Sequence, residues 1–290
     1  MQLHTPHKIS GNEQRRGIIF SIYFNTIFAP FCYIDIISAT TMYVNEKAFG
    51  NLTRCVTIEI KRKFGGKMFQ GFSERTIDFL WNVRFNNNRE WIAAHKQEYR
   101  EDLLEPLKAL ANEVQTAMAE RFPEELFCSH VSRIYRDARR AHGRPPLKEE
   151  LWFSIFGGGD RSVNRPEFYF AVNPEGYNFG LGIWSATPTD MARFRQETME
   201  NPQKLTTLVK NFQKQDIFSL GGTDYAKSKG EVDPLIRPWF QKRSIYFDCT
   251  RAYDALVMSK DLVQELVANF TILLPIYQHF DAICCRGERT

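Results

Sequence analysis

Six cysteines in 290 residues, with no Cys-x-x-Cys among them, leave the sequence without a zinc-ligand framework. Cys284 and Cys285 are adjacent, so no disulfide framework is indicated, and free thiols fit a cytoplasmic protein. The six histidines have neither His-Glu-x-x-His nor His-x-His spacing. No Gly-x-Ser-x-Gly elbow holds a nucleophile. Gly157-Gly158-Gly159 runs into Asp160 with no Gly-Lys-Ser/Thr after it, so it is a loop and not a phosphate cradle. Gly180-Leu181-Gly182 lacks the third glycine and the helix of a dinucleotide fingerprint. No metal and no cofactor is therefore expected.

Net charge is also scarce, +4 from 38 basic and 34 acidic residues. Its distribution is what matters. Between Val131 and Lys148 stand Arg133, Arg136, Arg139, Arg140, Arg144 and Lys148 against a single acid, Asp137, so this one segment carries more than the whole chain's excess. Val131 to Arg136 alternates and is rich in β-formers, which predicts a strand with Arg133, Tyr135 and Asp137 on one face and Ser132, Ile134 and Arg136 on the other. Gly143 and Pro145-Pro146 then impose a non-helical loop. Leu151–Phe156 reads as the return strand. Guanidinium forks on such a loop suit bidentate recognition of phosphate or carboxylate.

Three functions from different classes fit this segment. The first is a binding module for a phosphate-bearing or otherwise anionic ligand, a small molecule or a nucleic-acid backbone, held by Arg133, Arg136, Arg139 and Lys148, with Asp137 as orienter and Trp184 nearby. The second is an enzyme on an anionic small substrate, with Asp137 or His142 as general base. In the third, a scaffold, the arginines only form ion pairs with acids such as Glu149 and Glu150.

The run Arg133-Ile134-Tyr135-Arg136-Asp137-x-Arg139 followed by Pro146-Leu147-Lys148 resembles the signature of a family of conserved hypothetical proteins, domain-of-unknown-function family 2461. Asn87-Asn88-Arg89-Glu90-Trp91 and Gly180-Leu181-Gly182-Ile183-Trp184 with Pro188 match two further blocks of it. The resemblance covers roughly 69–281. Leu147 stands where the family often has tyrosine, and His142-Gly143 replaces a more charged pair. The family implies domain boundaries and no established activity.

Residues 1–67 differ in character, holding 10 isoleucines and an apolar run over 17–44 behind Arg15-Arg16. Phe64-Gly65-Gly66-Lys67-Met68 is encodable as a bacterial ribosome-binding site ahead of a start codon. We therefore read 1–67 as an extension absent from the native protein, with a signal peptide, a membrane anchor or a small N-terminal domain as the alternatives. Starting at Met68, the protein would have no membrane segment.

From 68 to 290 the pattern predicts a single α+β domain, an antiparallel sheet of about five strands packed by N-terminal and C-terminal helices. Ser73 and Asn88 are helix caps, and Leu107, Leu110, Val114 and Met118 lie at helical spacing after Pro106. Glu167–Asn173 and 177–185 are strands around a Pro174-Glu175-Gly176 turn, and Thr187-Pro188 opens a helix. Residues 216–234 form a loop whose Lys227 and Lys229 are a second basic patch. Residues 243–250 are a strand, and Ser259 caps the last helix.

Overall fold

Alternating side chains over Leu151–Phe156 and Glu167–Asn173 put one set of large aromatics on a single face, and that face organises the domain. The computed structural model of the chain describes residues 68–140, 142–158, 165–183 and 186–284, all within one unit spanning 62–290. Residues 1–67, read above as an extension, and Trp184 lie outside the described residues.

The chain opens with α1 (Glu74–Phe85) and α2 (Arg89–Ala94). A turn at Lys96–Glu98 and a π-helical segment at Tyr99–Leu104 then lead into α3 (Glu105–Arg121). Four strands follow in a meander: β1 (Cys128–Val131), β2 (Leu151–Phe156), β3 (Glu167–Asn173) and β4 (Gly176–Gly182). Next come α4 (Pro188–Glu200), α5 (Pro202–Phe212), the three-residue β5 (Ser219–Gly221) and α6 (Arg237–Phe240). The chain closes with β6 (Tyr246–Ala252) and α7 (Leu262–Cys284). The sheet is antiparallel throughout, in the order β1-β2-β3-β4-β6-β5.

The architecture is the expected α+β one, with six strands among the described residues. The strand outside the expectation, β5, is too short to leave a periodic trace in a loop rich in glycine and lysine. The strand expected at 131–136 is corrected: β1 ends at Val131, because Ser132 takes the Trp152 N–H on its side-chain oxygen and the backbone at Ile134 and Arg136 bonds to Lys148 and Pro146 instead of β2. The last strand begins three residues later than predicted, at Tyr246.

Phe153, Ile155, Phe168, Phe170, Tyr177, Phe179, Leu181 and Phe247 are buried on one side of the sheet. Phe168 stacks 5.0 Å from both Phe270 and Tyr277 of α7, while Phe72, ahead of α1, stacks 5.9 Å from Phe170. Helices from both ends of the domain thus cover the same face. Leu107, Leu110, Val114 and Met118 form the buried stripe of α3 as their spacing predicts, and Leu262, Leu266, Phe270 and Leu273 do so in α7. On α1 the buried set is Thr76, Phe79, Leu80 and Val83, with Ile77 and Trp81 only partly covered. No helix among the described residues is long and apolar enough to cross a membrane.

Four tyrosines tie this core to alkaline behaviour. Burial, with Asp254 beside the hydroxyl, pushes Tyr177 up to about 12. Burial also holds Tyr169, Tyr253 and Tyr277 above the usual phenol range. An unfolded phenol titrates near pH ~10, so above that the unfolded chain binds fewer protons than the native one and stability falls as pH rises. Urea midpoints measured against pH are expected to drop steadily above about pH 10. A flat midpoint through that range would contradict the buried assignment of these hydroxyls.

Candidate functional site

The basic segment leaves β1 and returns to β2 as a loop closed at its base by backbone. Tyr135 and Leu147 form an antiparallel bridge. Arg136 N–H donates to the Pro146 carbonyl and Lys148 N–H to the Ile134 carbonyl, both at 2.8 Å. Ile134 and Leu147 are buried beneath this closure. Leu147, where the family often carries tyrosine, is therefore a core position here, and its backbone rather than a hydroxyl does the polar work.

Asn87 holds the closure from the helical side. Its Oδ1 accepts from Leu147 N–H at 2.8 Å, and its Nδ2 donates to the Leu147 carbonyl at 3.2 Å. The same carbonyl accepts from Arg136 Nε at 3.1 Å. The neighbouring Asn88 caps α2 by accepting from Trp91 N–H at 2.7 Å, and Trp91 stacks on His95 at 4.3 Å. The Asn-Asn-x-x-Trp block thus has two tasks: one asparagine starts a helix and the other fixes the base of the arginine loop.

The predicted facial split persists without the strand. Ser132 and Ile134 are buried and Arg136 is half-buried, whereas Arg133, Tyr135 and Asp137 are exposed. Arg136 is clamped through Nε, and its terminal nitrogens make no hydrogen bond among the described residues. Arg133 makes no ion pair among them either. At the tip, Ala138–Arg140 is a 3-10 turn. Asp137 there receives Arg139 Nε at 3.1 Å and Nη2 at 2.8 Å on its two oxygens, and also Arg139 N–H at 3.1 Å. Both partners are exposed, so solvent screens the pair and it serves chiefly to orient Arg139. The nearby carboxylate accounts for the raised Arg139 pKa.

His142 is exposed in the left-handed region at φ 48°, and no hydrogen bond joins it to Asp137. An acid–base pair of those two residues is not assembled here. Arg144 is exposed near the tip, and Lys148 leaves the loop with its ammonium 5.5 Å from the Trp152 ring centroid.

Arg84 of α1 bonds Glu149 through Nε at 2.6 Å and clasps Glu175 with its terminal nitrogens. Those two carboxylates raise the Arg84 pKa, and Arg84 in turn holds Glu175 below the usual carboxylate range. Glu149, the acid next to the loop in sequence, is therefore engaged from α1.

Strand parity assembles a second polar group that sequence reasoning missed, on the sheet face opposite the aromatics. Asp248 accepts from the Tyr169 hydroxyl, from Asn178 Nδ2 at 3.2 Å and from Thr250 Oγ1 at 2.7 Å. Ser154 lies opposite Tyr169 in the ladder, buried with its Oγ unbonded. The alternation Tyr246, Asp248, Thr250 was the available signal. Gly180 lies opposite Asp248 in this row, and a Cβ there would fall 1.9 Å from the Phe247 carbonyl oxygen. The neighbouring strand therefore approaches too closely here for any side chain. Among the described residues no cluster of three metal-ligating side chains occurs.

No curated protein matches the sequence. The profile of the family described as "Conserved hypothetical protein (DUF2461)" matches residues 75–279, which takes in α1 through most of α7 and the whole arginine loop. The chain belongs to that family.

Proposed function

We propose that the protein binds an anionic ligand, with phosphate-bearing molecules the favoured class, on the loop between β1 and β2. Arg133, Arg136, Arg139 and Lys148 supply the charge, and Arg144 widens the basic surface. The observation that carries this reading is the fate of the nearest acid. Glu149 is bound by Arg84 from α1, and Asp137 pairs with Arg139, while Arg133 and Arg136 make no ion pair among the described residues. Arg136 adds a preorganised donor, because the backbone fixes its Nε end and turns a flexible side chain into a positioned one. The buried thiols of Cys128, Cys249 and Cys284 support a cytoplasmic setting for such a ligand.

Isothermal titration of pyrophosphate, a nucleoside triphosphate and a short oligonucleotide at two salt concentrations tests the proposal. Replacing Arg133 and Arg136 together by glutamine is expected to weaken binding by about a factor of ten or more, as loss of charge-assisted hydrogen bonds implies. A steep fall of affinity with salt for the oligonucleotide alone would mark a nucleic-acid backbone as the ligand. Equal binding by wild type and double variant would sink the reading.

A further inference from the structure

Arg195, on α4, is 8% exposed, and its Nη1 is fully enclosed without a hydrogen-bond partner. Arg193, two residues before it, reaches Asp190 at 3.7 Å, and Glu197, two residues after it, receives Lys204 at 2.8 Å. No carboxylate among the described residues pairs with Arg195 itself. What the guanidinium does meet is an aromatic ring, its central carbon standing 4.9 Å from the Tyr225 centroid. The Lys229 ammonium stands 4.2 Å from the same centroid. Two cations, on elements 34 positions apart in the chain, converge on one tyrosine.

The loop that brings Tyr225 and Lys229 there is tied down. Gln241, just after α6, accepts Tyr225 N–H on its carbonyl at 3.0 Å and donates from Nε2 to the carbonyls of Tyr225 and Lys227. Lys229 N–H reaches Gln241 Oε1 at 3.3 Å. At the loop's start Lys242 bonds the Gly222 carbonyl and Asp224, both at 3.0 Å. The lysine is therefore held against the same ring as the buried arginine by a braced loop.

A guanidinium cannot shed its charge as a buried lysine can, and burying one with unmet donors is costly. A cation–π contact offsets only part of that cost. An anionic acceptor reaching the guanidinium would offset the rest of that cost. We propose that Arg195 and Lys229, gathered on Tyr225, form a second anion site, for the phosphate group of a small ligand. Two positive charges match a phosphate dianion, and a guanidinium forms charge-assisted hydrogen bonds with its oxygens. The site is separate from the loop between β1 and β2 and stands whether or not that loop binds anything.

Inorganic phosphate is the probe, with chloride at matched ionic strength as control, and the full chain's melting temperature and calorimetric affinity as readouts. Wild type is expected to be stabilised by phosphate. Lys229→Ala, at an exposed position, is expected to weaken phosphate binding about tenfold without changing the phosphate-free melting temperature. Arg195→Met is expected to abolish the phosphate effect and to melt higher than wild type in chloride, because it removes a buried charge with unmet donors. Glutamine at Arg133 and Arg136 is expected to leave this response intact, which separates the two sites. Failure of Arg195→Met to fold, or a lower melting temperature in chloride, would show that the arginine serves the fold and would overturn the proposal. So would phosphate stabilisation of that variant equal to wild type.

Discussion

Gly180→Ala is expected to cost about 3 kcal/mol or more and to broaden or abolish cooperative unfolding, a loss at or beyond the upper end for overpacked interiors. The methyl would sit 1.9 Å from the Phe247 carbonyl oxygen and 2.9 Å from its carbon, which are backbone atoms of the adjacent strand. Relief requires β4 and β6 to move apart, which breaks a ladder of seven residue pairs in mid-sheet. A glycine in an unobstructed strand would gain from the same change, because alanine loses less backbone entropy on folding. The sign of the effect therefore tests the packing directly. Gly143→Ala is the control, since no atom lies within 4 Å of its added methyl and only the φ of 77° is unfavourable. Chemical denaturation of both variants decides the matter, and a Gly180→Ala protein as stable as wild type would refute the close approach.

The second large effect is expected at Asn87. Asn87→Ala removes an acceptor from the Leu147 N–H and a donor from its carbonyl, and Leu147 is buried. A buried donor left unmet costs about 1–3 kcal/mol. The loss should also reach function, because the same carbonyl positions Arg136. Anion affinity at the basic loop is expected to fall although no arginine has changed, while the phosphate response through Arg195 persists. Asn87→Asp keeps the acceptor for the N–H and gives up only the carbonyl's donor, so its stability should lie between alanine and wild type. Hydrogen exchange at the Leu147 amide gives the local readout. Unchanged protection in Asn87→Ala would show that the loop base does not depend on the asparagine.

Much of the fold was legible because its elements are locally consistent. The π-helical Tyr99–Leu104 runs straight into α3, so the apolar spacing reads through from Leu103 to Met118. Asn88 and Thr187 announce their helices with side-chain caps that the structure contains. The Asn173 side chain, accepting from the amides of Glu175 and Gly176, explains why the Pro174-Glu175-Gly176 turn was readable as a hairpin. What stayed hidden depends on contacts between distant positions. β5 exists because Tyr246, Phe247 and Asp248 give it a partner, and nothing in Ser219–Gly221 signals that. The bracket at Leu147 joins residues 60 positions apart. The engagement of Glu149 by Arg84 spans 65, and it alters how the arginine segment should be read. The basic segment was legible as chemistry; its geometry is set by Asn87, which the sequence offered only as part of the Asn-Asn-x-x-Trp block.

The order of the strands has a consequence for synthesis on the ribosome. The first four strands form a meander of neighbours, so they can begin pairing as soon as residue 182 has emerged. β5 cannot join at its turn, because its place in the sheet is bounded by β6, which is made later. Until then the growing sheet ends at an open β4, and the aromatic face around Phe168 lacks the helix that finally covers it, Leu262–Cys284. A nascent chain of this protein therefore carries an unfinished edge until Tyr246–Ala252 is made and a bare apolar surface until Leu262–Cys284 is made. That interval is when a holding chaperone would find most to bind.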